Sequence, residues 1–136
     1  MRLSNQALVP AGHSKPVGMY SPGIAVELMG ARLVFVSGQV ATDAQGTVPA
    51  PGDAGAQTEV VFERIAQVLA QSGGQLSDLV SLVIYATNVA RDFQAISGVR
   101  NRVLGDPAPS STLVEVSRLV ETGCLVEISG IAVVRG

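Results

Sequence analysis

Two carboxylates at the centres of β-branched runs are the side chains in this sequence best suited to acid–base chemistry. Glu115 lies in TLVEVS at 112–117, and Glu127 lies twelve residues further on, in CLVEIS at 124–129. Both runs are predicted to be half-buried strands, and the alternation of their residues places the two carboxylates on one face of the sheet. The opposite face is predicted to pack against helices and carries Val114, Val116, Val126, Ile128 and Ala132.

A hairpin through residues 119–123 would set Glu115 opposite Glu127, which is unfavourable for like charges. Either the carboxylates find partners, or one of them stays protonated, or another strand lies between them. A carboxylate in the middle of a sheet face is a candidate site residue, because such groups are seldom buried without a partner. Composition alone favours the simpler interpretation, in which this face is wetted by solvent.

The remaining reactive side chains are weaker candidates. His13 is the only histidine and has no nearby cysteine or acidic cluster, so it is predicted to be loop surface rather than a metal ligand. Cys124 is the only cysteine, which excludes an internal disulfide, and it has no basic neighbour to activate it. Phosphate-loop, dinucleotide, zinc-protease and nucleophile-elbow motifs are absent. We therefore expect neither a metal nor a cofactor.

Composition limits the partners. Of 136 residues, 47% are hydrophobic and 15% are charged, so some of the surface is expected to be covered by other subunits. The net charge of −2 and the lack of a basic patch argue against nucleic acid as the main partner. No apolar run is long enough for a membrane span or a signal peptide, and we expect a cytoplasmic protein.

The elements that would position the carboxylates form one α+β domain over residues 1–136. Strands are predicted at 24–29 and 33–37, followed by a helix that Asp53 caps and Gly73 and Gly74 end. An apolar strand at 79–87, a helix at 92–104 and the two carboxylate strands complete a β-β-α-β-α-β-β order. Both helices are expected on one face of a mixed sheet, which leaves the other face for an oligomeric partner.

Four segments in this order resemble the RidA/YjgF family of small proteins, whose older label is L-PSP endoribonuclease. They are GMYSPG at 18–23, VSGQ at 36–39, the helix containing Gln57, and LVEI at 125–128. The resemblance implies a chorismate-mutase-like fold and a homotrimer with an inner barrel of sheets and three inter-subunit clefts. Members of the enzymatic branch hydrolyse reactive enamines and imines, such as 2-aminoacrylate, to a keto acid and ammonia without metal or cofactor.

The resemblance also implies a site. Glu127 matches the acidic residue that positions or activates water and is the expected catalytic residue. Tyr20 matches the tyrosine at the cleft mouth, Gly38 matches a glycine that lines the cleft, and Asn88 lies near the segment that a neighbouring subunit contributes. The expected substrate-binding residues are Tyr20, Gly38, Asn88, Ser111, Thr112 and Leu113.

Ser111 marks a departure from the family pattern. It stands where the family has an arginine that binds the substrate carboxylate as a bidentate fork, a contact that a hydroxyl cannot make. Losing that contact costs about 2–5 kcal/mol of binding. Arg118 is an odd number of residues away and is predicted to point to the opposite face of a regular strand, and Arg100 and Arg102 lie on the second helix.

Two functions therefore stay open. One is a divergent deaminase or hydrolase that uses Glu127 as a general base and Ser111 and Thr112 as neutral donors to an uncharged or differently anchored substrate. The other is a non-catalytic trimer that binds a metabolite or serves as an interaction scaffold. A ribonuclease is disfavoured, because the chain is mildly acidic and lacks a histidine pair.

Overall fold

A six-stranded mixed sheet with two α-helices makes up the part of the chain that the computed structural model describes, residues 5–16 and 18–136. In chain order the elements are β1 (Asn5–Leu8), β2 (Gly23–Leu28), β3 (Ala31–Gln39), α1 (Ala54–Ala70), β4 (Leu79–Ala86), α2 (Val89–Val103), β5 (Ser110–Glu115) and β6 (Val126–Arg135). A short 3₁₀ turn, Leu76–Asp78, leads into β4. The predicted α+β class and order are confirmed, with β1 as an additional strand.

The strands lie in the order β1-β2-β3-β6-β4-β5. All neighbours are antiparallel except β4 and β5, which are parallel and joined by the crossover helix α2. The last strand therefore lies between β3 and β4 and not beside its predecessor in the chain. β1 was not predicted, because its four residues are mostly exposed and show no apolar alternation.

The helices pack on one another, and α1 lies on β3 and β6. The apolar stripe of α1 is buried, with Val61, Ile65, Val68 and Leu69 all fully inaccessible. Asp53 caps this helix by accepting a hydrogen bond from the Ala56 amide at 3.0 Å. The helix ends at Ala70, and Gly73 then reverses the chain with a φ of +79°.

Helix α2 begins earlier than predicted. Asn88 caps it by accepting from the Arg91 amide at 3.0 Å, so the helix starts at Val89 rather than at Asp92. Phe93 is 43% exposed, whereas Ile96 is fully buried. The apolar face of the helix passes through Ile96 and Val99 instead.

Glu115 and Glu127 lie on opposite faces of the sheet, and this corrects the prediction that they share one. Residues of β5 pair with β4 as Ala86↔Glu115, whereas β6 pairs with β4 as Tyr85↔Glu127. Paired residues point to the same side, so Glu115 is on the helix side with Ala86 and Glu127 is on the other. Alternation of side chains cannot be extended from Glu115 to Glu127, because the chain between the two runs is not a strand.

The same loss of alternation explains why the predicted buried face of β5 is also wrong. Val126, Ile128 and Ala132 are fully buried against the helices, as predicted, but 41% of Val114 is exposed. Val116 lies beyond the end of β5 and is only partly buried. On β5 it is Leu113 that packs against the core. Of the three alternatives for the carboxylates, the one with an intervening strand is confirmed, since β4 separates β5 from β6.

Gln57 joins α1 to the segment that leads into β6. Its side chain is fully buried and accepts from the Leu125 amide at 2.8 Å while donating to the Gly123 carbonyl at 3.0 Å. A buried amide with both ends paired fixes the position of this segment, and through it the start of the strand that carries Glu127. No helix in the described part of the chain is both long and apolar enough to span a membrane.

Candidate functional site

Glu127 lies on β6 beside Tyr85 of β4, on the sheet face away from the helices. Its side chain is partly buried, and across residues 5–16 and 18–136 no hydrogen-bond donor or cation pairs with its carboxylate. Burial raises the pKa of the Glu127 carboxyl above its ordinary value, because the ionised form loses solvation. An isolated carboxyl with a raised pKa is a candidate both to give and to accept a proton.

Gly38 provides the space that Glu127 occupies. The register of β3 against β6 shifts between Val36 and Gln39, so Gly38 lies in a bulge. A Cβ on Gly38 would stand 2.5 Å from Glu127 Oε2 and 2.8 Å from its Cδ. The bulge and the missing side chain therefore let the carboxylate lie directly over the backbone of β3.

A cavity of about 470 Å³, referred to below as the Glu127 cavity, opens beside this pair. Its size suits a small metabolite. It is lined by three residues that were predicted for the site, Tyr20, Gly38 and Glu127. It is also lined by a loop segment that was not predicted, His13, Ser14 and Lys15. Tyr20 is half exposed, which agrees with a position at the mouth of the cavity.

His13 lies in a loop, but it is partly buried in the wall of the cavity and is not free surface. Its Nε2 is 2.7 Å from Oε1 of the buried Gln39, and its Nδ1 is 2.7 Å from the Ser14 carbonyl oxygen. Gln39 is fixed in turn by donating from Nε2 to the Ser37 carbonyl at 3.1 Å. Sequence reasoning missed this contact, because Gln39 is 26 residues away and neither residue belongs to a motif.

Ser14 connects the cavity wall to a buried cation. Its Oγ lies 2.9 Å from Nη2 of Arg64 on α1 and 3.2 Å from Oγ1 of Thr42, which also lines the cavity. Arg64 is only 7% exposed, and its Nε has no hydrogen-bond partner among the described residues. Burial lowers the pKa of Arg64, and the charge of Asp43 offsets part of that effect.

A second hollow of about 420 Å³ lies on another side of Glu127 and also touches Gly38, Tyr85 and Arg118. We call it the Arg118 hollow. The prediction that Arg118 points away depended on a regular strand, but β5 ends at Glu115. Arg118 is therefore free of strand alternation and lines a hollow that it shares with Glu127, with its Nε 3.4 Å from the Leu119 carbonyl.

The other residues predicted for the site lie elsewhere in a single chain. Asn88 caps α2, Leu113 packs against the core, and Thr112 is exposed on β5. Ser111 lines a separate hollow of about 350 Å³ together with Arg100. None of the four borders the Glu127 cavity, so their role in binding remains a prediction that requires a second copy of the chain.

Metal chemistry and cysteine chemistry receive no support from the geometry. Across the described ranges no group of three or more histidine, cysteine or acidic residues is close enough together to hold a metal ion. Cys124 is buried, and burial together with the charge of Glu121 raises the pKa of its thiol. A buried thiol with a raised pKa is a poor nucleophile and behaves as a small core residue.

Comparisons with known proteins agree with this architecture. A family model described as Endoribonuclease L-PSP matches residues 12–134. Protein DfrA of Myxococcus xanthus is 33% identical over 132 residues, covering 97% of this chain and 98% of that protein. The 3-aminoacrylate deaminase RutC of Acinetobacter baylyi is 31% identical over 130 residues, covering 96% and 98%.

A solved structure gives the same answer for the fold. The crystal structure of RidA from the Antarctic bacterium Psychrobacter sp. PAMC 21119 is 30% identical and superimposes with a TM-score of 0.79, covering 93% of this chain and 98% of that one. The chain therefore belongs to the RidA/YjgF family, the family of the Endoribonuclease L-PSP model.

Proposed function

We propose that this protein is a small-molecule deaminase that hydrolyses an enamine or imine, with Glu127 as its general acid and base. The observation that carries the proposal is Glu127 itself, an isolated, partly buried carboxyl with a raised pKa that faces a cavity of metabolite size. The 31% identity to a 3-aminoacrylate deaminase, over almost all of both chains, supports the same reaction class.

The chemistry requires one group that moves a proton in both directions. Protonated Glu127 donates its proton to the enamine carbon, which converts the C=C–N unit to an iminium ion. The Glu127 carboxylate then takes a proton from water as the water oxygen bonds to the iminium carbon. In the resulting carbinolamine the hydroxyl proton passes to the nitrogen as the C–N bond breaks, which releases ammonia and leaves a carbonyl product. One water is consumed for each ammonia released, and Glu127 returns to its starting state.

The proposal includes a homotrimer in which neighbouring copies complete each cleft. In a single chain the sheet face away from the helices is uncovered, and a shallow hollow on it is lined by the exposed Phe35 and by the partly buried Val83 and Ile131. An apolar face of this kind is favourable only when a partner covers it. A neighbouring copy could then bring Asn88 and residues 111–113 to the Glu127 cavity.

A second candidate is a trimer that binds a metabolite without turning it over. The observation that favours it is Ser111, which stands at the position of the carboxylate-binding arginine in the family pattern and lies outside the Glu127 cavity of its own chain. A site that has lost its anion clamp could keep its shape while losing turnover of the family's usual substrates.

Ammonia release from freshly generated 2-aminoacrylate and 3-aminoacrylate tests the proposal. We expect wild-type turnover of one of them to fall about 10²- to 10⁴-fold in Glu127→Gln, the usual contribution of general acid–base catalysis. Glu115→Gln is the matched control, because it removes a carboxylate on the other sheet face that caps α2 by accepting from the Val89 amide. Activity in wild type that survives Glu127→Gln would contradict the assignment of Glu127.

Ser111→Arg separates the two candidates. If wild type is inactive and Ser111→Arg gains an activity that Glu127→Gln then removes, the scaffold is competent and only its substrate anchor has changed. If wild type, Ser111→Arg and Glu127→Gln are all inactive on both substrates while the protein still binds small carboxylates, the binding function replaces the deaminase.

A further inference from the structure

We propose that the Glu127 cavity carries its own carboxylate-binding subsite, formed by the Lys15 ammonium and the Ser14 hydroxyl backed by the buried guanidinium of Arg64. This inference rests on the proposed function, and it identifies the substrate class as a small anionic enamine held within a single chain. It assigns the anchoring role to residues of the N-terminal loop and α1, in place of the arginine that is absent at position 111.

The buried cation is the first step of the argument. Arg64 is 7% exposed, its Nη2 hydrogen bond goes to a neutral hydroxyl, and its Nε has no partner among the described residues. No carboxylate lies within 4.0 Å of it in the same part of the chain, although the charge of Asp43 acts on it from further away. A buried charge without a close counter-ion is costly, and an anion bound nearby would offset that cost.

Ser14 and Thr42 transmit this charge to the cavity. Their hydroxyls are 3.2 Å apart, so one hydroxyl hydrogen is used between them. Arg64 donates to the Ser14 oxygen and uses no hydroxyl hydrogen. One O–H of the pair is therefore left to donate, and both side chains line the Glu127 cavity. A donor polarised by a guanidinium favours an anionic acceptor over a neutral one.

Lys15 contributes a mobile charge on the same wall. It lines the cavity next to Ser14, is exposed, and forms no salt bridge within the described residues. A lysine has three donors on a flexible stem, so it can follow a small carboxylate that lacks the fixed geometry required by an arginine fork.

The charges that face the cavity favour one carboxylate. The acidic side chains of the wall are Glu121 and Glu127, and the cations are Lys15 and, through Ser14, Arg64. When Glu127 holds the proton that it will donate, Glu121 on the wall and Asp43 near Arg64 stand against the two cations. Lys15 and Ser14 are adjacent in the chain, so the ammonium and the polarised hydroxyl offer their positive charge at one place on the wall, where a single carboxylate fits.

Arg118 is the competing anchor. It shares the Arg118 hollow with Glu127, but it is exposed and lies outside the lining of the Glu127 cavity. Its hydrogen bond within the described residues goes to the carbonyl of the adjacent Leu119 and not to a polar group of the cavity wall. The structure therefore supports Lys15 and Ser14 as the anchor, and Arg118 serves as the matched control.

Binding of pyruvate and of its neutral amide, pyruvamide, tests the inference by calorimetry without requiring turnover. Pyruvate is the product expected from 2-aminoacrylate, and pyruvamide has the same shape without the charge. We expect wild type to bind pyruvate at least about tenfold more tightly than pyruvamide. Lys15→Met and Ser14→Ala should each remove most of this preference, and Arg118→Met should retain it. Ser14→Ala leaves the buried Arg64 in place, so the test requires no substitution in the core of the protein.

Equal affinity of wild type for the two ligands would overturn the inference, and so would loss of the preference in Arg118→Met with retention in Lys15→Met. The kinetics of ammonia release separate this result from the proposed function. A raised KM with little change in kcat in Lys15→Met supports both. Turnover with unchanged KM in that variant rejects the subsite and keeps the deaminase. The pyruvate preference without any turnover keeps the subsite and rejects the deaminase.

Discussion

The carboxylate of Glu127 lies over the backbone of Gly38, so close that a Cβ at position 38 would stand 2.5 Å from Glu127 Oε2. The two residues are 89 positions apart in the sequence and meet because β6 inserts between β3 and β4. The bulge in β3 and the absence of a side chain at position 38 thus help to position the carboxylate at the wall of the cavity.

Gly38→Ala should displace the Glu127 carboxylate and reduce kcat/KM for ammonia release by at least about tenfold, less than the loss in Glu127→Gln. The fold should survive, because the atoms that the new Cβ would meet belong to the flexible Glu127 side chain. Circular dichroism and steady-state kinetics measure the two effects. Gly98→Ala is the control: it lies in α2 with no atom within 4 Å of a new Cβ, so it should leave kinetics unchanged and stabilise the helix by about 0.5–1 kcal/mol.

Ionisation of Glu127 should lower stability as pH rises. Because burial raises the pKa of its carboxyl, the folded protein holds this proton more tightly than the unfolded chain does. The resulting contribution to stability is fully present below the ordinary carboxyl pKa and is lost as pH rises through the raised value. Urea unfolding of wild type and Glu127→Gln at several pH values between about 4 and 8 tests this. The glutamine variant should gain stability relative to wild type as pH rises, and a difference that does not change with pH would contradict the assignment.

A charge on the uncovered sheet face should break the proposed trimer. Phe35 and Phe93 are both 43% exposed, but Phe35 lies on the sheet face away from the helices and Phe93 lies on α2. We expect Phe35→Lys to shift the protein from trimer to monomer in light scattering, because a buried lysine without a partner is unfavourable. Phe93→Lys should leave the trimer intact. Equal behaviour of the two variants would show that this face is not the interface.

Local patterns were sufficient to predict most of the fold. The Asp53 cap of α1 and the apolar run of β4 each depend on residues close in sequence, and both lie where the sequence predicts them. The relation of Glu115 to Glu127 was not predictable in this way. Both residues have odd numbers, and alternation along a strand would place them on one face only if a single strand ran from one to the other. The irregular segment between β5 and β6 interrupts that alternation.

The cavity depends still more on distant contacts. Glu127 was found from its position in a strand centre, and Tyr20 and Gly38 from the family resemblance. His13, Lys15 and Arg64 carry no local signal: the His13–Gln39 contact spans 26 residues and the Ser14–Arg64 contact spans 50. Arg118 was also predicted to point away, because it is an odd number of residues from Ser111 on what would be one regular strand. In the structure β5 ends at Glu115, which no local pattern indicates, and Arg118 lies beside Glu127.

Gln57→Leu should show how the site depends on a buried amide far from it in sequence. Leucine keeps much of the volume of the side chain but leaves the Leu125 amide and the Gly123 carbonyl without their partner. We expect a loss of about 2 kcal/mol or more in the free energy of unfolding, since a polar group left unpaired costs about 1–3 kcal/mol. Urea denaturation measures it, with Gln67→Leu on the exposed side of the same helix as the control, expected within about 0.5 kcal/mol of wild type.

The same substitution should affect catalysis, because Gln57 holds Leu125, which lies two residues before Glu127 and directly before the start of β6. A loosened start of β6 lets the carboxylate leave its position over Gly38, so kcat should fall in Gln57→Leu under conditions where circular dichroism shows the protein fully folded. Full activity in a destabilised Gln57→Leu would mean that pairing of β6 with β3 and β4 alone holds Glu127 in place.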